Sequence, residues 1–284
     1  MSAAMSGAAS ASGGAAGAKR RPVVAGNWKM YKDRAGAGAL ARAIADGLGE
    51  AGLRPGTGAH VDTLEPEVVL CPPFTALETV AAALGGRPWP ALGAQNAHWE
   101  KEGAFTGEIA PEMLADVGCR YAILGHSERR QYFGETDEGV SKRLAGALRT
   151  GLVPIVCVGE TLAQREAGQT GEVVTRQLNG SLATLPADKA AGAIIAYEPV
   201  WAIGTGKAAS SADAQEVAAL IRRVFASKFG PAAGAGMRLL YGGSVKPENA
   251  RDYFRQPDVD GALVGGASLV AASFLAIIAA AREA

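Results

Sequence analysis

The sequence predicts a single-domain α/β fold, a (β/α)8 barrel over residues 22–284, and three observations carry that prediction. The chain has 284 residues, 48% of them hydrophobic, enough for one large core and within the size range of one such barrel. From residue 22 onward, short β-type apolar runs alternate with longer stretches of helical spacing, the pattern of a parallel sheet with crossover helices. Eight such runs can be counted, and eight units close into a ring without edge strands.

In chain order the runs are residues 23–26, 68–72, 91–96, 121–125, 154–159, 193–198, 238–243 and 261–265. The segments between them, such as 137–149 and 213–229, set apolar residues at roughly helical spacing with charge on the opposite face, and should form the outer ring. Ser210 with Asp213 reads as a capping-box-like helix start, in which a hydroxyl satisfies a free first-turn amide; residues 204–207 then form a loop ahead of it. Residues 54–66, rich in Gly, Pro and Thr, read as an exposed connection on the stability side of the barrel, with His60 solvated. Residues 1–21 are Ala/Gly/Ser-rich and lack any acidic residue. Such a composition superficially matches an organelle transit peptide, but a disordered N-terminal tail is the plainer expectation.

Composition excludes several classes of function. Lys plus Arg equals Asp plus Glu at 28 each, so neither nucleic acid nor a membrane surface is expected as a partner, and any anion site must be local. No apolar run approaches the ~20 residues of a spanning helix. Cys71, Cys119 and Cys157 are odd in number and widely spaced, without a CxxC pair, which fits a reducing compartment, the cytoplasm. The three histidines lie in remote segments and form no familiar ligand cluster, so no metal is expected.

Polar residues gather at the C-terminal ends of several runs: Asn27 and Lys29 after the first, His126 after the fourth, Glu198 at the sixth. In a barrel of this class that rim is the catalytic face. Each residue alone could be structural: Glu198 could pair with Lys29 or Arg130, and Lys29 could form a surface salt bridge. Their shared placement favours a site.

The segments NWKM at 27–30, CPPF at 71–74, GHSERR at 125–130, GETLAQREAG at 159–168, AYEPVWAIGTGK at 196–207, YGGSV at 241–245 and ALVGGASL at 262–269 resemble the triosephosphate isomerase family, in that family's order. The similarity runs from about residue 23 to the C-terminus.

The resemblance implies interconversion of dihydroxyacetone phosphate and D-glyceraldehyde 3-phosphate through an enediolate, in glycolysis and gluconeogenesis, without cofactor or metal. Glu198 matches the general base, which needs a carboxylate whose pKa desolvation can raise. His126 matches the electrophile, and the family is a standard example of a neutral imidazole in that role; a helical turn begun at Ser127 would disfavour its charged form. Lys29 would supply a fixed positive charge and Asn27 an amide donor. Backbone at Gly204, Ser244, Gly265 and Gly266 would cradle the phosphate, since glycine lets the chain approach closely. Glu128 is expected to orient Lys29, and Cys157 to fill a buried place behind the site. Residues 199–207 read as a lid that excludes water, and this family's loop is a standard example of such gating. Thr106, at the tip of a loop over 104–108, would reach a neighbouring subunit in a homodimer.

At residue 31 the chain departs from the family, carrying Tyr31 where a small polar residue is usual, close to where the partner's loop should dock. Rival readings are a non-catalytic phosphate-binding or scaffold barrel, against which the joint retention of Asn27, Lys29, His126 and Glu198 argues, and another barrel enzyme such as a carboxylate-pair glycosidase, against which the lid sequence PVWAIGTGK argues.

Overall fold

The computed structural model describes residues 20–52, 65–87, 89–203 and 209–284. Within them the strands form one closed parallel barrel in chain order: β1 (Val23–Asn27), β2 (Glu67–Cys71), β3 (Ala91–Ala94), β4 (Tyr121–Leu124), β5 (Val153–Val158), β6 (Ile194–Tyr197), β7 (Arg238–Tyr241) and β8 (Gly261–Val264). Pairing of β1 with both β2 and β8 closes the ring. Outside it lie α1 (Arg34–Glu50), α2 (Leu77–Leu84), α3 (Pro111–Asp116), α4 (Ser127–Phe133), α5 (Asp137–Arg149), α6 (Leu162–Glu166), α7 (Thr170–Ser181), α8 (Ser211–Phe229), α9 (Pro231–Gly236), α10 (Ala250–Phe254) and α11 (Ala271–Arg282). This is the single-domain (β/α)8 class expected from the sequence.

Strand side chains alternate between faces, and the alternation divides the core in two. Val23, Ala25, Tyr121, Ile123, Ile155 and Ile194 fill the inside of the barrel, whereas Val24, Leu70, Leu124, Val156, Ile195 and Leu239 pack outward with the helices. Both faces are covered, which is why each strand reads as a continuous apolar run. Each fully buried Val, Leu or Ile contributes about 1.5–3 kcal/mol relative to exposure. The same two-residue period positions the site: Asn27 continues Val23 and Ala25, Glu198 continues Ile194 and Ala196, Gly242 follows Leu240, and Gly265 follows Leu263, bringing all four to the C-terminal mouth.

Several ladders end earlier than the apolar runs suggest: β3 stops at Ala94 instead of residue 96, and β7 at Tyr241 instead of 243. The residues beyond have left the sheet to form the rim. α5 has the expected bounds, and α8 begins at Ser211 behind a complete capping box, with the Ser210 hydroxyl accepting the Asp213 amide at 3.0 Å and the Asp213 carboxylate accepting the Ser210 amide at 3.0 Å.

Residues 1–19 of the expected tail lie outside the described residues, as do 54–64 of the expected 54–66 connection, His60 included. Arg20 and Arg21, read with the tail from composition, are instead pinned to the barrel. Arg20 Nε meets Asp260 at 2.6 Å and its Nη2 donates to the Pro257 carbonyl at 2.7 Å, while Arg21 Nε donates to the Glu65 carbonyl at 2.9 Å. Composition misses this because the partners are far away in sequence. Among the described residues, no helix is long and apolar enough to cross a membrane.

Candidate active site

A cavity of about 550 Å³ opens at the C-terminal mouth of the barrel, lined by Asn27, Lys29, His126, Glu198, Ser244, Gly265 and Gly266 among others. These residues, drawn from the C-terminal ends of five strands and the loops that follow them, meet in one concavity. Gly204 and the rest of the expected lid beyond Ile203 lie outside the described residues.

Glu198 is 2% exposed. Its Oε1 stands 2.9 Å from His126 Nε2, and its Oε2 accepts the Ser127 amide at 2.7 Å. Gly242 gives it room, since a Cβ there would come within 2.8 Å of Glu198 Cγ. Neither structural partner considered from the sequence holds it: Lys29 Nζ is 2.5 Å from Glu128, and Arg130 binds Asp137 at 2.6 Å and the Gly125 carbonyl at 2.8 Å.

His126 is the N-cap of α4, and its Nδ1 accepts the Glu128 amide at 3.2 Å. An imidazolium, protonated on both nitrogens, cannot make that bond. Two influences therefore oppose each other. Burial and the amide favour the neutral ring, but the Glu198 carboxylate against Nε2 more than offsets burial and lifts the imidazole pKa above its ordinary value. For Glu198, burial raises the pKa, and His126 with the Ser127 amide outweighs it and holds the carboxyl below the usual range.

Lys29 follows β1 with φ of 49°, a left-handed conformation costing on the order of 1–3 kcal/mol for a residue with a Cβ. Hydrogen bonds on both sides hold it: its N–H donates to Asn27 Oδ1 at 3.0 Å, and its carbonyl accepts from Gln95 Nε2 at 2.8 Å. Its stem crosses Gly265 so closely that a Cβ there would meet Lys29 Cε at 3.4 Å, which places the ammonium beside the glycines after β8.

Cys157 sits inside the barrel next to Glu198; burial, then that carboxylate, push its thiol pKa well up. Thr106 is exposed in the turn after β3, outside the cavity. Among the described residues, no three His, Cys, Asp or Glu side chains converge as a cation site.

Gln95 and Glu160 are not among the site residues that the sequence suggests, and Ser127, expected only to begin the turn after His126, does more than that. Gln95 also donates to the Cys71 carbonyl at 2.9 Å, tying the Lys29 turn to the end of β2. Ser127 contributes its amide to Glu198. Glu160 is fully buried, and accepts from the Tyr197 hydroxyl at 3.1 Å and the Trp201 indole at 3.0 Å, anchoring the first turn after Glu198. Gln95 and Glu160 carried one available signal: each is a polar residue at the exit of an apolar run.

This constellation, a buried carboxylate against an imidazole at a helix start with a lysine across the mouth, is matched in known proteins. The family model described as triosephosphate isomerase matches residues 22–281. The chain belongs to the triosephosphate isomerase family. It is 54% identical over 259 residues to the triosephosphate isomerase of Chloroflexus aurantiacus, covering 91% of this chain and 98% of that one. It is 55% identical over 260 residues to that of Moorella thermoacetica, again covering 91% and 98%. The crystal structure of triosephosphate isomerase from Bartonella henselae superposes with a TM-score of 0.80 at 44% identity, covering 92% of this chain and 99% of that one. The chain is thus an isomerase, and the non-catalytic scaffold reading is not favoured.

Proposed function

We propose that Glu198 is the base and His126 the electrophile of the triosephosphate isomerase reaction, the interconversion of dihydroxyacetone phosphate and D-glyceraldehyde 3-phosphate. The observation that carries the assignment is the buried 2.9 Å contact between His126 Nε2 and Glu198 Oε1. It puts one group able to take a proton and one able to donate a hydrogen bond on the same point of the cavity wall, with Lys29 alongside.

That contact leaves no room for a substrate carbon, so binding must part the pair. Once parted, Glu198 loses the imidazole that holds its pKa down while burial still raises it, and it becomes a stronger base. It removes the proton from the carbon beside the carbonyl, and the electrons pass to the carbonyl oxygen to give the enediolate. His126, no longer facing that carboxylate, keeps the burial, the Glu128 amide and the Lys29 charge that favour its neutral form, against the smaller pull of the Glu128 carboxylate. Its Nε2–H then hydrogen-bonds the substrate oxygens as charge develops. Glu198 returns the proton to the neighbouring carbon. One proton thus moves between the adjacent carbons while the substrate's hydroxyl proton passes from one oxygen to the other by way of His126 Nε2, so ketone and aldehyde interconvert with no net redox change, and base and electrophile suffice without a cofactor or metal.

Lys29 balances the negative charge of phosphate and enediolate, and is oriented by Glu128. Asn27, Gly204, Ser244, Gly265 and Gly266 are assigned to substrate binding. Thr106 is assigned to a homodimer contact, and three unpaired cysteines support a cytoplasmic location; neither nucleic acid nor a membrane is a proposed partner.

The test is a coupled NADH assay of glyceraldehyde 3-phosphate isomerisation. Glu198→Asp draws the carboxylate back by about one methylene, and a misplacement near 1 Å can cost on the order of 100-fold. A kcat lower by about that factor with KM little changed is expected. A variant within about threefold of the parent would remove Glu198 from the role of base.

A further inference from the structure

We propose that Gln177, on α7, is a positioning residue for Glu198; the inference rests on Glu198 being the base. Beyond its paired region, β5 runs on as a rail for the segment that carries Glu198. The Glu198 amide donates to the Val158 carbonyl at 2.8 Å, and the Val200 amide to the Glu160 carbonyl at 3.0 Å, so the ladder between β5 and β6 continues past the base.

In a parallel strand, alternate peptides face opposite neighbours. Gly159 lies between the two rail contacts and directs its N–H and C=O the other way, toward the side of β4. That strand has already ended at Leu124, and Gln177 stands in for it. Its Oε1 accepts the Gly159 amide at 2.7 Å and its Nε2 donates to the Gly159 carbonyl at 3.1 Å. A primary amide carries both the donor and the acceptor of a peptide group, so one side chain closes the pair that a strand would have closed. Gln177 is 6% exposed, and losing it would leave two backbone groups unpaired in a largely buried place.

The rail transmits what happens to Gly159. A Cβ at Gly159 would stand 1.7 Å from the Glu198 carbonyl oxygen, so the glycine main chain is packed directly against that of the base. Packing does not immobilise the carboxylate itself. A cavity of about 230 Å³, lined in part by Ser127, Gly159, Gln177 and Glu198, leaves it room to shift. Once substrate has parted Glu198 from His126, the position of Glu198 is therefore set by its backbone and by the Ser127 amide, and Gln177 fixes the backbone.

The experiment compares the full-length parent, Gln177→Met, which keeps the volume and loses the amide, and Val174→Ala, which loosens the same helix at a buried position without touching Gly159. Glu198→Gln is run in parallel. For each variant, kcat, KM, competitive inhibition by inorganic phosphate, and Tm are measured. Gln177→Met is expected to lose about 10- to 100-fold in kcat, with KM and phosphate inhibition within about twofold. Val174→Ala, with a comparable fall in Tm, should keep kcat within about twofold. Should Gln177→Met not fold, the comparison passes to Gln177→Glu, which can still accept the Gly159 amide but cannot donate, and the same loss is expected. The proposal is overturned if the Gln177 variant keeps its kcat, if Val174→Ala loses as much, or if phosphate inhibition weakens in step with kcat. Retention of activity by Glu198→Gln would instead remove the base assignment and this inference with it.

Discussion

His126 stands between opposing influences. Burial acts against its charge, the Glu198 carboxylate favours it, and the second influence prevails in the free protein. Removing the carboxylate while keeping its volume should lower the imidazole pKa. In Glu198→Gln, burial and the Glu128 amide at Nδ1 still act against the charge, and the Glu128 carboxylate, 3.7 Å from Nδ1, is the weaker influence left in its favour, so the pKa is expected to fall well below its value in the parent. With only three histidines in the chain, a labelled-histidine NMR titration separates them, and an unchanged or higher value in the variant would refute the balance described. The linkage follows the same sign. The folded-state imidazole pKa is raised, so the pair's stabilisation is full below the unfolded value and fades as pH rises through the folded one. On the acid side the Glu198 pKa is depressed, so the contribution is present above the unfolded carboxyl value, about 4.3, and is lost as pH falls through the folded one.

At the scale of elements, the strands were legible because they are apolar on both faces. α5 and α8 were legible because periodicity and capping agreed, down to the reciprocal bonds between Ser210 and Asp213. The motif residues Asn27, Lys29, His126 and Glu198 were legible as rim positions and through the family they resemble. What did not show was the support between them. Gln177 lies on a helix among residues of ordinary helical pattern, and nothing local reveals that its amide completes a strand edge at Gly159. Gln95 holds the Lys29 turn from another strand exit. Such contacts join residues far apart in sequence, and periodicity carries no information about them. The α8 cap is a feature that can be tested alone, because it closes the helix directly after residues 204–208. Ser210→Ala should cost about 1 kcal/mol, a fall in Tm of about 2–4 °C for a domain of this size, without altering kcat in proportion. A Tm unchanged within error would mean that the Asp213 half of the box suffices.

At the scale of the whole molecule, the chain exposes apolar surface that its own core does not explain. Met30 is 94% exposed, Tyr31 58%, Phe105 43% and Met113 53%. The loop after β3 that bears Phe105 and Thr106 is nevertheless well held. Its base is tied by the His98 amide to the Ile109 carbonyl at 2.8 Å and by Arg143 to the Ala97 carbonyl at 2.5 Å, and the Phe105 and His98 rings lie 4.6 Å apart. A loop ordered from within and apolar outside has already spent the conformational entropy that docking would otherwise cost. A second copy is the occupant that the family resemblance implies, and a stable pair needs about 800 Å² buried on each chain. Light scattering at micromolar concentration should therefore give the mass of two chains. Thr106→Arg, which places a charge where the tip would be desolvated, should give one chain and, if the partner's loop braces the rim near Tyr31 and Lys29, a kcat lower by about tenfold or more. A parent that is monomeric and fully active would overturn the dimer, whereas a monomeric variant with undiminished kcat would keep the dimer and show that each barrel's rim holds its shape unaided.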